Sequence, residues 1–260
     1  MRANRTKQLL REGKIALGMS QSQLRTPELA KMAAAVGLDW LFIDTEHSPF
    51  TSETVHELIG ACRQTPVTPV VRVADFQYDL VARTLDSGAE GIMFPRSEHP
   101  EMLERAVSWA KFPPKGVRGF GLAAPQMGYQ DAPFDEVTAH ANREILVIAQ
   151  IETMPGLERV EELAAVDGLD CLLVGPADMT VALGVGGQWE HPKLMDALER
   201  VSRACHDVGK WPAIHVRNVA LAKAAAERGM RLISCGNDLA VLWNIVKKLG
   251  ADLGALRELA

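Results

Sequence analysis

Two kinds of apolar segment alternate along the 260 residues. Short runs bounded by Gly, Pro or Asp predict strands over 15–19, 40–44, 69–73, 91–95, 146–151, 171–175, 213–216 and 232–235. The longer stretches between them carry helical spacing. Thr26 stands as an N-cap before an alanine-rich run that ends near Gly37, and Thr51 opens 53–62. Helices over 77–87, 192–208, 218–228 and 237–249 stop at Gly88, Gly209, Gly229 and Gly250. Two more are read over 98–109, before Pro113 and Pro114, and over 155–165. Eight strand–helix pairs in this length predict an α/β protein, the eightfold (β/α)8 TIM barrel. The strands are almost continuously apolar, as expected for parallel strands covered on both faces. A doubly wound open sheet is the competing architecture. It lacks support, because no Gly-x-Gly-x-x-Gly follows the first strand.

One segment breaks the rhythm. Residues 111–142 carry Gly116, Gly119, Gly121 and Gly128 with Pro113, Pro114, Pro125 and Pro133. This is read as a long loop beside the site, because long connections in compact domains are usually functional or disordered. No internal repeat, low-complexity tract or boundary interrupts the chain, so 1–260 is expected to be one domain.

Composition narrows the function classes. A net charge of -5 without a basic block argues against a nucleic-acid partner. No segment reaches the roughly 20 apolar residues of a membrane span, and no signal peptide is visible. Cys62, Cys171, Cys205 and Cys235 are scattered without a Cys-x-x-Cys pair, which reads as reduced structural thiols in a cytoplasmic protein.

The chemistry lies just past the strands, where barrel active sites form. The second strand runs into Asp44, Glu46 and His47, and the third carries Arg72 within Val-Val-Arg-Val. An arginine in an apolar strand needs a partner, and a carboxylate suits its planar fork. The fifth strand supplies Gln150 and Glu152, and Asp178 follows the sixth. Glu152 and Asp178, from successive strands, could hold one hard divalent cation. Asp86, in the helix after strand three, could orient His47. The set suits enolate chemistry at a 2-keto acid: a metal polarises the keto oxygen, Arg72 holds that oxygen or the neighbouring carboxylate, and His47 moves protons. No lysine ends a strand in a Schiff-base setting, which favours a metal route. Bland readings stay open at this point. Glu152 and Asp178 could each be a helix N-cap or first-turn acid, Arg72 could form an interior ion pair with Glu152, and His47 could cap a turn. His215, ending strand seven, could line the pocket or be structural. The Gly236–Asn237 turn could receive an anion or simply cap a helix.

Several runs together resemble the metal-dependent class II pyruvate aldolases of the HpcH/HpaI type. They are Leu38 to Asp44 leading into Glu46-His47, Val71-Arg72-Val73, Leu85 to Ala89, Pro113 to Gly119, Gln150-Ile151-Glu152 and Gly175 to Asp178. The resemblance covers most of the chain in the family's order. It implies reversible cleavage of 4-hydroxy-2-oxo acids to pyruvate, or hydroxypyruvate, and an aldehyde. It further implies Glu152 and Asp178 as ligands of Mg²⁺, Mn²⁺ or Co²⁺, Arg72 on the keto oxygen, a His47–Asp86 proton-transfer dyad, Asp44 near the aldehyde and Gln150 on the substrate. Gly175 and Pro176 lie in the substrate-binding turn, and the amides of Ala177 and Asp178 cradle the carboxylate. A homo-hexamer, a trimer of dimers that exchange C-terminal helices, is implied as well. Thr45 stands where the family commonly has glycine, Phe120 to Tyr129 is distinctive, and His215 falls where many relatives are apolar. The rival enzyme reading is an acyl-CoA lyase of the citrate or malyl-CoA type; a non-catalytic keto-acid sensor is the rival outside catalysis.

Overall fold

A computed structural model describes residues 1–121 and 124–259. Residues 122 and 123, inside the long connection after the fourth strand, lie outside the described residues, as does residue 260. Eight parallel strands close into one barrel in chain order. They are β1 Ala16–Gln21, β2 Trp40–Asp44, β3 Thr68–Arg72, β4 Gly91–Phe94, β5 Leu146–Ile151, β6 Cys171–Val174, β7 Trp211–Val216 and β8 Leu232–Asn237. All eight predicted strands are present, with ends shifted by one or two residues.

The two-residue alternation of a strand sends every second side chain into the barrel. Trp40, Phe42, Val70, Met93, Leu146, Ile148, Cys171, Leu173, Ala213 and Leu232 fill the interior. The intervening residues, such as Ile43, Val71, Ile92, Val147, Leu172 and Ile214, pack outward against the helices in a second, larger cluster. Gly18 is required where the indole of Trp40 crosses the interior, since a Cβ there would lie 2.5 Å from the Trp40 carbonyl oxygen. One step further along the strands the interior becomes polar, with Ser20, Asp44, Arg72, Gln150 and His215 opening to a cavity.

Several helical expectations need correction. The first residues form the helix Arg5–Arg11, capped by the Asn4 side chain on the Lys7 N–H. Its Leu10 joins the interior cluster and stops one end of the barrel. The long connection is not all loop: it holds the helices Ala124–Met127 and Phe134–Glu144. Residues 155–165 divide into Met154–Glu158 and Val160–Ala165, with Arg159 between them. A helix absent from the sequence reading, Pro176–Ala182, follows β6 directly. Gly250 does not end the last helix, which runs Asp238–Gly254.

Candidate active site

The strand-end residues meet in one cavity of ≈ 580 Å³, lined by Asp44, His47, Arg72, Gln150, the 175–178 turn, Trp189 and His215 among others. A larger cavity of ≈ 810 Å³, lined by His191, Asn218 and Arg228, abuts it through Trp189 and Leu221. That second cavity holds none of the strand-end carboxylates, so the chemistry belongs to the first.

Arg72 is the centre of the cluster. Its Nε and Nη2 donate to the two carboxylate oxygens of Asp44 at 2.9 and 2.7 Å. Its Nη1 donates to Gln150 Oε1 at 3.2 Å and lies 2.9 Å from Glu46 Oε2. The guanidinium carbon sits 5.2 Å from the Phe42 ring centroid. Burial alone would depress the guanidinium, but the hydrogen bonds and charges of Asp44, with Glu46 and Glu152, hold it above its ordinary value. β2 and β3 are in register at Asp44 and Arg72, which is why the ion pair forms. The interior ion pair left open for Arg72 is therefore made with Asp44 and Glu46, not with Glu152.

From Arg72 the network runs through Gln150 to Glu152. Gln150 Nε2 donates to Glu152 Oε2 at 2.5 Å, and the Arg96 backbone N–H donates to Oε1 at 3.0 Å. Arg96 is left-handed, with φ 43°, a costly conformation for a residue with a Cβ. That strain lies where its N–H reaches Glu152. Glu152 is only 4% exposed. Burial pushes its carboxyl up to about 7 against the Arg96 N–H and Arg72, with Glu46 and Asp178 adding repulsion. Gly175 completes this wall, since a Cβ there would lie 2.6 Å from Glu152 Oε2 and 2.7 Å from Gln150 Nε2. Asp178 is exposed and follows in the first turn of Pro176–Ala182. It lines the cavity, while Glu152 is buried against Gln150 and Gly175, which line it. The N-cap reading does not describe Glu152, because Thr153 caps the following helix through the Gly156 N–H. Gly175 takes the N-cap position ahead of Asp178.

Asp44, Glu46 and Glu152 thus act on one buried guanidinium, and Asp178 acts in turn on Glu152. Burial also raises Glu46, with Arg72 and His47 opposing and Asp44 reinforcing it. Excess negative charge made of hard oxygens fits a divalent cation. Among the described residues no three His, Cys, Asp or Glu side chains form a ready-made metal cluster. Glu152 and Asp178 would accordingly share an ion with water and substrate oxygens, as an open catalytic site requires.

His47 lines the cavity on the turn after β2, with its side chain 71% exposed and Nε2 3.8 Å from Glu46 Oε1. Among the described residues of the single chain no hydrogen bond joins His47 to Asp86, whose Oδ1 accepts from Arg118 Nη2 at 2.7 Å, from the connection after β4. Asp44 contacts the cavity but is engaged in orienting Arg72. Thr45 donates from Oγ1 to the Arg72 carbonyl at 2.6 Å, tying the end of β2 to that of β3. Glu46 and Trp189 belong to the surroundings of the site. From sequence Glu46 reads only as one of the ionisable groups past β2, without a role. Trp189 does not stand out, because it enters from a turn far from any strand end.

The model of the HpcH/HpaI aldolase/citrate lyase family matches residues 19–244. The hydroxypyruvate/pyruvate aldolase of Cupriavidus necator is 32% identical, over 93% of this chain and 88% of that protein. The 4-hydroxy-2-oxo-heptane-1,7-dioate aldolase of Salmonella paratyphi B is 31% identical, over 99% and 97%. The crystal structure of an HpcH/HpaI aldolase from Desulfitobacterium hafniense superposes with a TM-score of 0.91 at 31% identity, covering 95% of each chain. An eightfold barrel with these acids at its strand ends, matched in sequence and fold over nearly its whole length, belongs to the HpcH/HpaI aldolase/citrate lyase family.

Proposed function

We propose that this chain is a divalent-metal-dependent class II aldolase, a carbon–carbon lyase. It cleaves 4-hydroxy-2-oxo acids to pyruvate or hydroxypyruvate and an aldehyde, and it condenses them in reverse. The observation that carries this reading is the network of Asp44, Glu46 and, through Gln150, Glu152 on Arg72, with Asp178 exposed on the cavity that Asp44, Arg72 and Gln150 line.

Cleavage of the C3–C4 bond leaves an electron pair at C3 that must delocalise onto the 2-oxo group, while the C4 hydroxyl loses a proton. Glu152 and Asp178 would hold the ion, Mg²⁺, Mn²⁺ or Co²⁺, which supplies Lewis-acid polarisation of the keto group when bound. Arg72 is fixed by Asp44 and directs Nη1 toward Gln150 and Glu46. From there it binds the keto oxygen and stabilises the negative charge that develops on it. Gln150 bridges Arg72 and Glu152 and orients both. The turn Gly175–Pro176–Ala177–Asp178 opens a helix at the cavity, and its backbone amides receive the substrate carboxylate. His47 takes the hydroxyl proton in cleavage and passes it to C3 of the resulting enolate, which completes the 2-oxo acid, and runs the same transfer backwards in condensation. Glu46, rather than Asp86, is the carboxylate beside it within the chain.

The same reading places the chain in a homo-hexamer, a trimer of dimers, with exchanged C-terminal helices. In Asp238–Gly254 only Asp238 is buried, while Leu242, Trp243, Ile245, Val246 and Leu249 are exposed. Leu17, on the outer face of β1 beside β8, is 46% exposed, a bare stretch of barrel wall that a second copy's helix would cover. No helix of the described residues is long and apolar enough to cross a membrane. Four free thiols, three of them buried, fit a reducing, cytoplasmic setting. The small-molecule partners are a 2-keto acid and an aldehyde.

The test is release of the 2-oxo acid from a 4-hydroxy-2-oxo acid before and after chelation. Turnover should vanish with the chelator and return with Mg²⁺, Mn²⁺ or Co²⁺. Full activity in the stripped protein contradicts the proposal. Turnover of malyl-CoA without cleavage of 4-hydroxy-2-oxo acids would favour the acyl-CoA lyase reading instead.

A further inference from the structure

His215 projects into the cavity from β7, on the interior face that further down the same strand carries Ala213. It is a polar group at a level of the barrel where nothing in the proposed reaction uses it. Three neighbours fix its ring. Nδ1 lies 2.9 Å from the Ser234 hydroxyl, directly across the β7–β8 register. The ring packs edge-on to Phe42, with centroids 5.3 Å apart and planes at 86°. Phe42 in turn carries the Arg72 guanidinium on its face. The imidazole is thereby built into the same assembly as the keto-binding arginine, with Phe42 between them.

Its electrostatics define what it can bind. Burial pushes the His215 imidazole down to about 4, with help from the Arg72 and Arg217 charges and against Asp44. The ring is neutral across the physiological range, so it offers no charge to a carboxylate or a phosphate. With Nδ1 committed to Ser234, Nε2 has no hydrogen-bond partner among the described residues. The serine hydroxyl can donate or accept, so the ring can take either tautomer and present Nε2 as donor or acceptor. A neutral group with both abilities, in a cavity, matches a hydroxyl.

Resting on the aldolase reading above, we infer that His215, positioned by Ser234 and Phe42, is a specificity-determining residue. It hydrogen-bonds a substrate hydroxyl and selects hydroxylated substrates over their deoxy counterparts. The hydroxyl has two possible sources: C3 of the 2-oxo acid, as in hydroxypyruvate, or the aldehyde. Once substrate fills the cavity, a deoxy analogue leaves Nε2 without water or a partner, so such a site discriminates against it more strongly than an apolar wall does.

Condensation rates separate these sources. Wild type, His215→Leu, His215→Gln and Ser234→Ala are each assayed with divalent metal present. Pyruvate and hydroxypyruvate are compared against one common aldehyde. Acetaldehyde and glycolaldehyde are compared against one common 2-oxo acid. The expected result is that His215→Leu lowers the hydroxyl-to-deoxy ratio of kcat/KM by roughly tenfold in one of the two comparisons. His215→Gln, which keeps an amide donor and acceptor, retains part of that preference. Ser234→Ala, which frees the ring to turn, falls between wild type and His215→Leu. A loss in the first comparison assigns the hydroxyl to the 2-oxo acid, and in the second to the aldehyde. If all variants turn over and both ratios stay at the wild-type value, the inference is overturned while the aldolase reading stands. If wild type condenses no pair at all, both fall.

Discussion

The two ends of the barrel handle buried charge in opposite ways. At the closed end, beneath the helix Arg5–Arg11, most charges meet an opposite, and Lys111 donates to the Asn142 and Ile145 carbonyls. Lys7 Nζ lies 2.8 Å from Asp170, and Arg2 grips Glu90 through two bonds of 2.8 and 2.9 Å. Neutral groups there are paired as well, as between the Thr6 and Thr68 hydroxyls at 2.9 Å. At the open end three carboxylates, Asp44, Glu46 and Glu152, share one guanidinium, and Asp44 alone takes two of its hydrogen bonds. The cost of desolvating charge is the same physics at both ends. The closed end settles it internally, whereas the open end leaves negative charge in excess, which a cation and a polar substrate would neutralise. Stability is concentrated at one end and reactivity at the other.

Substitutions should separate the two. The largest effect is expected from Arg72→Ala, which strips Asp44, Glu46 and Gln150 of their shared partner. Its retro-aldol kcat/KM should fall by about 10³-fold, measured by 2-oxo acid release. At the closed end Lys7→Met should do the reverse. It leaves Asp170 unpaired and should lower unfolding stability by about 3 kcal/mol in denaturant titrations, while activity per folded molecule stays at wild type.

The closed end also predicts a pH dependence. Burial, with the neighbouring Lys7 and Lys115, pushes the Lys111 ammonium down to about 8, against Asp170 and Asp167. The unfolded chain therefore binds more protons than the folded one between about pH 8 and the ordinary lysine value. Stability from this group rises with pH through that window. The difference between wild type and Lys111→Met should change by on the order of 3 kcal/mol across it.

The smallest expected change sharpens the comparison from the open end. Glu152→Gln removes one of the crowded carboxylates but keeps the shape of the wall. The metal-free variant should be more stable than metal-free wild type by about 1 kcal/mol, with turnover lost. A matching gain from Asp170→Asn at the closed end would erase the contrast.

How much of this was legible in the sequence depends on how local each feature is. The eight strands could be read because both of their faces are covered by apolar neighbours. Arg72, Gln150 and Glu152 stood out as polar groups within such runs. Asp178 stood out as the acid just beyond one. Helix Phe134–Glu144 was hidden because only Val137 and Glu144 are buried on it, so it shows no apolar stripe. Helix Arg5–Arg11 is seven residues long and inserts a single leucine into the barrel, too short for a periodic signal. The contact of Arg118 with Asp86 could not be read, because it depends on where Arg118 folds back from the long connection. No local spacing encodes that return. The helix break at Arg159 and the approach of Trp189 to the cavity are likewise tertiary outcomes.

The central claim is that Glu152 and Asp178 share a divalent ion at the open end. Its most direct measurement is Mn²⁺ binding to the metal-free protein, followed by electron paramagnetic resonance, in wild type, Glu152→Ala and Asp178→Ala. The account predicts one ion per chain in wild type and at least tenfold weaker binding in each variant. Wild-type affinity retained in both variants would contradict it.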